Sequence, residues 1–353
     1  MTSTPAASFN DPRFADADTN PSARVLRRLD ILTVAVLILL LLALCVISLL
    51  FGETTYSISE LMQVLSGQVV PGASYSIGEI RLPRLVLGVL VGLAFGLSGS
   101  VFQTMLRNQL ASPDIIGISA GASATGVVAI LVFRLPQTLV SLWALVGALL
   151  AAAGIYVLSF RRGSFAGTRL ILVGIGFTAI LQSVVTFVLS RAAAWDLPTA
   201  TRWLNGSLNG ATWERIIPVG VAAIVVLPIV VVQLRNLKLL RLGDETAAAL
   251  GVNVSRSRAV LIIGAVTLIS VATAAAGPIA FVAFMSGPIA ARLLRGGMFP
   301  PLVAAIVGAL LTVGADFVGQ NLLGARYPVG VVTGVLGAPF LIYLLIRSQR
   351  QGM

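Results

Sequence analysis

The sequence predicts an all-α, polytopic membrane protein with about ten transmembrane helices, and three observations lead to this fold class. Hydrophobic residues make up 57% of the 353 residues and charged residues only 10%, whereas a soluble domain carries about 25% charged residues. The mean hydropathy is +0.98. Apolar runs near the ~20 residues that a bilayer requires recur along the chain, with basic residues at their ends. A water-soluble fold could not cover so much apolar surface.

Ten apolar runs are the predicted spans. The first of them is too long for a cleaved signal sequence, so we expect it to be retained as a helix. Where two runs nearly touch, at Gly277 and Pro278, the sequence allows either a tight reversal or a broken helix. The runs cover residues 31–51, 83–106, 114–133, 138–160, 169–190, 216–234, 259–276, 278–294, 299–318 and 329–346.

The basic residues predict the orientation of this topology. With ten spans and a cytoplasmic N-terminus, 17 basic residues fall on the cytoplasmic side and 7 on the outer side, which together account for all 24. This is the asymmetry that the positive-inside rule describes. The net charge of +11 therefore indicates topology at the bilayer edges and not a nucleic-acid-binding patch.

One membrane domain is predicted over residues 31–347, in the cell membrane and with both termini in the cytoplasm. Residues 1–30 are rich in Pro, Ser, Asp and Ala and are predicted to be a disordered tail. Residues 348–353 are predicted to be a short C-terminal tail. The outer segment 52–80 contains SISELMQVLSG, which predicts a short interfacial helix capped by Ser59.

The second span carries small residues at four-residue spacing, namely Gly88, Gly92, Gly96 and Ser100. Residues at this spacing share one helix face, and small side chains there let another helix backbone approach closely. We expect this face to pack inside the bundle.

The composition excludes several kinds of catalytic centre. The chain has no histidine and one cysteine, Cys45, so a Cys/His metal site and a Ser/His pair are impossible. The lone lysine, Lys238, lies between two leucines, so there is no phosphate-binding Gly-Lys-Ser/Thr loop. We predict that the chain is not an enzyme, binds no metal or cofactor, and depends on another subunit for any ATP hydrolysis.

Carboxylates within the spans leave one alternative open. Asp316 lies late in the ninth span, where a structural role at the helix end and a proton relay are both compatible with its position. Asp114 follows Pro113 and is expected to cap the third span. The competing hypotheses are therefore an ion-gradient-driven transporter or exporter that uses Asp316, and a membrane scaffold without transport activity.

The stretch LRLGDETAAALGVNVSRSR, residues 240–258, interrupts the apolar pattern on the predicted cytoplasmic side. Asp244 and Glu245 suit the N-terminus of a short helix, Gly251 suits the left-handed position after its end, and Ser255 is expected to cap the following helix. So short a helix is marginal alone in water and must dock on something. Since the chain has no ATPase, an external ATPase is the expected partner.

This segment resembles the cytoplasmic coupling segment of the permease subunits of type II ABC importers for iron–siderophores, haem and cobalamin, the FecCD-like family. The resemblance extends through RLPRLVLGVLVGLAFGLSGSVFQTMLRNQLASPDIIGISAGA (81–122), WLNGSL (203–208), GPIAFVAF (277–284) and YPVGVVTGVLGAPFLIYLL (327–345). It implies the type II importer permease fold and a ferric siderophore as substrate, with cobalamin or haem as alternatives. It also implies a second permease subunit, two cytoplasmic ATP-binding subunits and an extracytoplasmic substrate-binding (lipo)protein.

The resemblance implies roles for individual residues as well. The ATPase-coupling contact would involve Gly243, Asp244, Glu245, Ala249, Leu250 and Gly251. The binding protein would dock on Arg81 and Arg84, with Arg326 replacing a third arginine where this chain has Gln320. The chain departs from the family pattern in SGPIAAR, at Gly287, Pro288 and Ala291.

Overall fold

The computed structural model describes residues 21–113, 117–161, 164–165, 167–295 and 300–351. Within them the fold is helical, which confirms the predicted class. It also contains one π-helical segment, Ser74–Arg81, and an antiparallel pair of two-residue strands, β1 (Phe160–Arg161) and β2 (Ser164–Phe165). The helices are α1 (Pro21–Leu50), α2 (Ile58–Leu65), α3 (Leu82–Met105), α4 (Ile118–Leu131), α5 (Gln137–Ser159), α6 (Gly167–Arg191), α7 (Leu197–Leu204), α8 (Trp213–Leu240), α9 (Asp244–Ala249), α10 (Val254–Ala276), α11 (Val282–Leu293), α12 (Pro300–Asn321) and α13 (Val329–Gln351).

Ten of these helices coincide with the ten predicted apolar runs. In the described residues, eight of them are long and apolar enough to cross a membrane: α1, α3, α5, α6, α8, α10, α12 and α13. The other two, α4 and α11, have 14 and 12 residues. At 1.5 Å per residue α11 covers ~18 Å, well short of a ~30 Å hydrocarbon core.

Residues 21–30, which were expected to be disordered, are helical, whereas the short C-terminal tail was predicted without a secondary structure. Helix α1 begins at Pro21, ten residues before the predicted span, and α13 continues to Gln351. Proline suits the first position of a helix, and no helix breaker follows Pro21 before the apolar run. Residues 1–20 and 352–353, like Asp114, lie outside the described residues.

The connection between α10 and α11 is a reversal. Ser98 of α3 donates to the carbonyl of Ala265 in α10, which runs antiparallel to α3. Helix α11 runs parallel to α3, since successive turns of α11 meet successive turns of α3. The backbone of residues 277–281 is not helical, and positive φ angles of 75° at Gly277 and 64° at Phe281 turn the chain at either end.

Helix α3 is the central helix of the bundle, and the predicted small-residue face lies on it. Gly88, Gly92 and Gly96 face α12, where a Cβ on Gly92 would lie 2.5 Å from the Gly308 carbonyl oxygen. Ser100, one turn further, lies beside Gly287 of α11. The absence of side chains on Gly92 and Gly96 lets the backbones of α3 and α12 touch, whereas Gly88 makes room for the side chain of Leu208.

The short helix α2 is capped by Ser57 and not by Ser59 as predicted. The Ser57 hydroxyl accepts a hydrogen bond from the Glu60 N–H at 3.2 Å, and the Glu60 carboxylate accepts one from the Ser57 N–H at 2.7 Å. This reciprocal pair is the Ser-x-x-Glu capping box, a signal that was present in the sequence.

Candidate functional site

The segment that interrupts the apolar pattern forms the six-residue helix α9 between α8 and α10. Glycines with positive φ bracket it, at 116° for Gly243 and 82° for Gly251, so the chain turns sharply at both ends. Ala247 is fully buried against the bundle, whereas Glu245, Ala249 and Leu250 are exposed. Leu250 is 57% exposed. The helix thus offers a small mixed surface while Ala247 holds it to the bundle.

Asp244 ties α9 to two other helices. Its Oδ1 accepts from Arg107 Nη2 at 2.9 Å, and Arg258 Nη2 lies 2.9 Å from Oδ1 and 3.1 Å from Oδ2. Arg107 lies two residues after the end of α3, and Arg258 lies in the first turns of α10. One carboxylate therefore joins α9 to the neighbouring α10 and to the end of α3, 137 positions earlier in the sequence.

Two capping predictions at this segment were wrong. Asp244 does not cap α9, because Gly243 occupies the N-cap and makes no side-chain hydrogen bond, and the aspartate is engaged by the arginines. Helix α10 is capped by Asn253, whose Oδ1 accepts from the Arg256 N–H at 3.0 Å, and not by Ser255. Asparagine and serine are comparable caps, and the turn after Gly251 places Asn253 first.

At the opposite end of α3, Arg84 holds a second charge cluster. Its Nε and Nη2 donate to the two carboxylate oxygens of Asp316 in α12, both at 2.7 Å. Its Nη1 donates to Asn209 Oδ1, also at 2.7 Å, so the WLNGSL segment continues into this cluster. The side chains of Arg84 and Asp316 are only 20% and 13% exposed. Such a fork-to-fork pair is strong and directional.

The other two predicted docking arginines also have partners within the chain. Arg81 donates to the carbonyls of Leu49 and Thr54, at 2.8 and 2.6 Å, and lies over the Tyr56 ring at 5.0 Å. Arg326 pairs with Glu53, and both side chains are mostly exposed. The three arginines are therefore held in place by the chain itself.

A cavity of about 430 Å³ brings these arginines together. It lies between α1, the π-helical segment, α3 and α12, and Arg81, Arg84 and Arg326 all line it. Gln320, which replaces the expected third arginine, also lines it and donates to the Tyr327 carbonyl at 3.1 Å. The cavity is thus a polar recess with positive side chains at its wall.

The departures from the family pattern lie on α11. A side chain at Gly287 would collide with the Gln103 carboxamide, whose Nε2 donates to the Phe284 carbonyl at 2.9 Å. Pro288 lies inside the helix and Ala291 is exposed. In this chain Gly287 therefore makes room for a buried hydrogen bond between α3 and α11.

Sequence reasoning missed a polar face on α6. Gln182, Ser183, Thr186 and Ser190 line a shallow groove of about 470 Å³ on the surface of this otherwise apolar helix. Three of their hydroxyls donate to carbonyls of the same helix, at 2.8–3.0 Å. The three- and four-residue spacing was visible in the sequence, and polar side chains within a span rarely face lipid.

The fold defines a class: polytopic α-helical membrane proteins with a short helix, α9, between two of the spans. The sequence model of the FecCD transport family matches residues 39–347. The chain belongs to the FecCD transport family.

Individual relatives agree with this assignment. The chain is 38% identical to the ferric enterobactin transport system permease protein FepG of Escherichia coli K12, covering 89% of this chain and 96% of FepG. It is 35% identical to the iron(3+)-hydroxamate import system permease protein FhuG of Bacillus subtilis, covering 90% and 98%. It is also 35% identical to the cobalamin import system permease protein BtuC of Halobacterium salinarum, covering 77% and 74%.

A solved structure of a metal-chelate type ABC transporter in an inward-facing conformation matches with a TM-score of 0.79 at 26% identity, over 89% of this chain and 98% of that one. The chain is therefore a multi-pass ABC transporter permease and not itself an enzyme. Membership in this family implies an ATPase component, a substrate-binding component and a second permease.

Proposed function

We propose that this chain is the permease subunit of an ABC importer that moves a ferric siderophore across the cell membrane into the cytoplasm. The observation that carries the proposal is α9, a short helix with an exposed face that Asp244 fixes to the core of the bundle. Both termini lie in the cytoplasm, on the same side as α9, as the distribution of basic residues favours.

The exposed face of α9 is the contact for the ATPase subunits. Glu245, Ala249 and Leu250 point away from the bundle and form a surface of one charge and two apolar side chains. Because Asp244 joins α9 to the ends of α3 and α10, a push on this face is transmitted to two membrane-spanning helices. A loosely tethered loop would absorb the same displacement.

The opposite face receives the substrate-binding (lipo)protein. Arg81, Arg84 and Arg326 carry three positive charges around one recess, against the carboxylates of Asp316 and Glu53. Arg84 is paired with Asp316, so its main effect is to hold the walls of the recess in place. Arg326 is more available, since an acidic side chain of the binding protein can replace the exposed Glu53.

A second permease, identical or homologous, covers the polar face of α6. This face, which carries Gln182, Ser183, Thr186 and Ser190, is suited to lie beside a polar chelate or a facing subunit. This face of α6 supports a pathway on the α6 side of the bundle.

The relatives support an iron chelate as the substrate. FepG and FhuG, whose names specify ferric chelates, are covered almost completely, whereas the match to the cobalamin permease covers 74% of that protein. The chain offers no histidine and one cysteine, so bare iron would find few suitable ligands. The contacts of Asp316 with Arg84 favour a structural role for this carboxylate over a proton relay.

Reconstitution tests the proposal directly. Proteoliposomes that contain the permease, its ATPase and its binding protein should take up a labelled ferric siderophore. This uptake should require ATP in the compartment that α9 faces. Glu245→Arg should abolish this uptake while the protein still inserts. Uptake driven by an ion gradient without ATP, or preferential uptake of cobalamin or haem, would contradict the mechanism or the substrate, respectively.

A further inference from the structure

Two arginines and two aromatic rings form a surface cluster where α11 and α13 end. The guanidinium carbon of Arg292 lies 5.2 Å from the ring centre of Tyr343 and 5.8 Å from that of Phe340. Arg347 Nη1 donates to the Tyr343 hydroxyl at 2.8 Å. Arg292, Tyr343 and Arg347 are exposed, and Phe340 is half-buried. Tyr343 thus holds two positive charges on the same patch of surface.

Neither charge is neutralised within the described part of the chain. Arg84, Arg107, Arg258 and Arg326 each hold a carboxylate there, but Arg292 and Arg347 form no ion pair with any described residue. Among the described residues, Arg347 donates one hydrogen bond to a protein oxygen and Arg292 donates none. A guanidinium carries five N–H groups, so most of these donors face outward.

The cluster lies at the edge of the apolar region. Helix α11 ends at Leu293, and the apolar part of α13 ends at Arg347. Next to the two charges, Leu293, Ile342 and Ile346 expose 40%, 59% and 51% of their surface. A tyrosine at this depth is typical of the membrane–water interface.

We propose that this cluster binds the headgroup phosphate of an anionic phospholipid. Arginine forks match phosphate oxygens, and basic pockets between transmembrane helices are suited to anionic headgroups. The exposed apolar side chains next to the charges then contact the acyl chains, which an acidic protein or a soluble anion would leave uncovered. The site is separate from α9 and from the outer arginines, so it does not depend on the transported substrate.

Native mass spectrometry of the purified full-length chain tests the site, with phosphatidylglycerol and phosphatidylcholine added as probes. The unchanged chain should retain phosphatidylglycerol preferentially. The double variant Arg292→Gln, Arg347→Gln should bind it about 30-fold more weakly, since each arginine near a membrane surface contributes about a factor of five. Arg292→Lys with Arg347→Lys keeps the charge and should retain most of the binding.

The matched control removes two charges elsewhere. Arg191, which lies over the Phe187 ring at 5.2 Å, and Arg202 are exposed arginines from another part of the chain. Arg191→Gln with Arg202→Gln should leave lipid binding within about twofold, because these residues are not in the cluster. Equal loss of phosphatidylglycerol binding in both double variants would overturn the site. Equal retention of the two lipids by the unchanged chain would also overturn it, and this second measurement does not depend on the folding of any variant. Displacement of the lipid by millimolar inorganic phosphate would identify a soluble-anion site instead.

Discussion

Replacing Asp244 by asparagine should loosen α9 without unfolding the bundle. The substitution keeps the size of the side chain and removes the charge that Arg107 and Arg258 share. The Arg107 pair is about half exposed on both sides, so we assign it about 0.5 kcal/mol. The Arg258 contact is better shielded, at 13% exposure of the arginine, and a hydrogen bond to a charged group contributes about 1.5–3 kcal/mol. Since asparagine retains one acceptor oxygen, the expected net loss is about 1–2 kcal/mol.

Hydrogen exchange measures this loss directly. The amides of Ala247, Leu250 and Val252 donate within the segment, to Gly243, Thr246 and Ala247. A loss of 1–2 kcal/mol raises the population of the open segment about 5- to 30-fold, and exchange of these amides should accelerate by the same factor. In proteoliposomes, less substrate should be imported for each ATP hydrolysed, because part of the displacement of α9 no longer reaches α3 and α10.

Glu245→Gln is the matched control, since it is the same chemical change one residue further on. Glu245 is exposed and has no ion pair or hydrogen bond to any described residue, so exchange within α9 should stay the same within about twofold. If Glu245 contacts the ATPase as proposed, this substitution should weaken ATPase binding. Unchanged exchange in Asp244→Asn, or equal acceleration in both variants, would refute the anchoring role of Asp244.

Further predictions concern packing, the outer ion pair and acid. Gly92→Ala should lower stability by about 2 kcal/mol or more in thermal unfolding, because its Cβ meets the backbone of α12, whereas Gly176→Ala on α6 meets nothing within 4 Å and should be neutral. Asp316→Asn should cost about 2–3 kcal/mol because Arg84 loses its counter-charge, and the folded fraction should still transport; loss of transport without loss of stability would favour the proton relay. Hydrogen bonds from Ser57 lower the pKa of Glu60 below 4.5, so the capping box stabilises α2 above the ordinary glutamate pKa and this contribution is lost as pH falls through the lowered value. Hydrogen exchange of the α2 amides, corrected for intrinsic rates, should therefore be faster at acid than at neutral pH. Faster exchange at neutral pH would contradict this.

The positions of the helices could be predicted from the sequence because the bilayer imposes one requirement on every span. A run of apolar residues of sufficient length is a local property, and each of the ten runs contains a helix. Helix ends were less predictable, since several residues near a boundary can cap it. At α2 and α10 the sequence offered two suitable caps each, and turn geometry selected Ser57 and Asn253.

The ionic contacts could not be predicted, because they join residues far apart in sequence. Asp316 and Arg84 are 232 positions apart, and Asp244 and Arg107 are 137 apart. The sequence showed a carboxylate near the outer end of α12 and arginines at the start of α3, but only the packing of α3 against α12 brings them together. The same packing makes Arg84, which was expected to dock a binding protein, part of the internal structure.

The two ionic clusters lie at opposite ends of the same helix. Arg84 is in the first turn of α3 and Arg107 follows its last residue, about 35 Å away at 1.5 Å per residue. In its middle part the helix is in backbone contact with α12 at Gly92 and Gly96, so it cannot bend there without separating these residues from that helix. A displacement of α9 must therefore either break the contacts of Asp244 or move α3 as a unit, and in the second case Arg84 and the recess at the other end move with it. We therefore expect the close contact at Gly92 and Gly96 to keep α3 rigid enough to carry a force applied at α9 to the outer arginines.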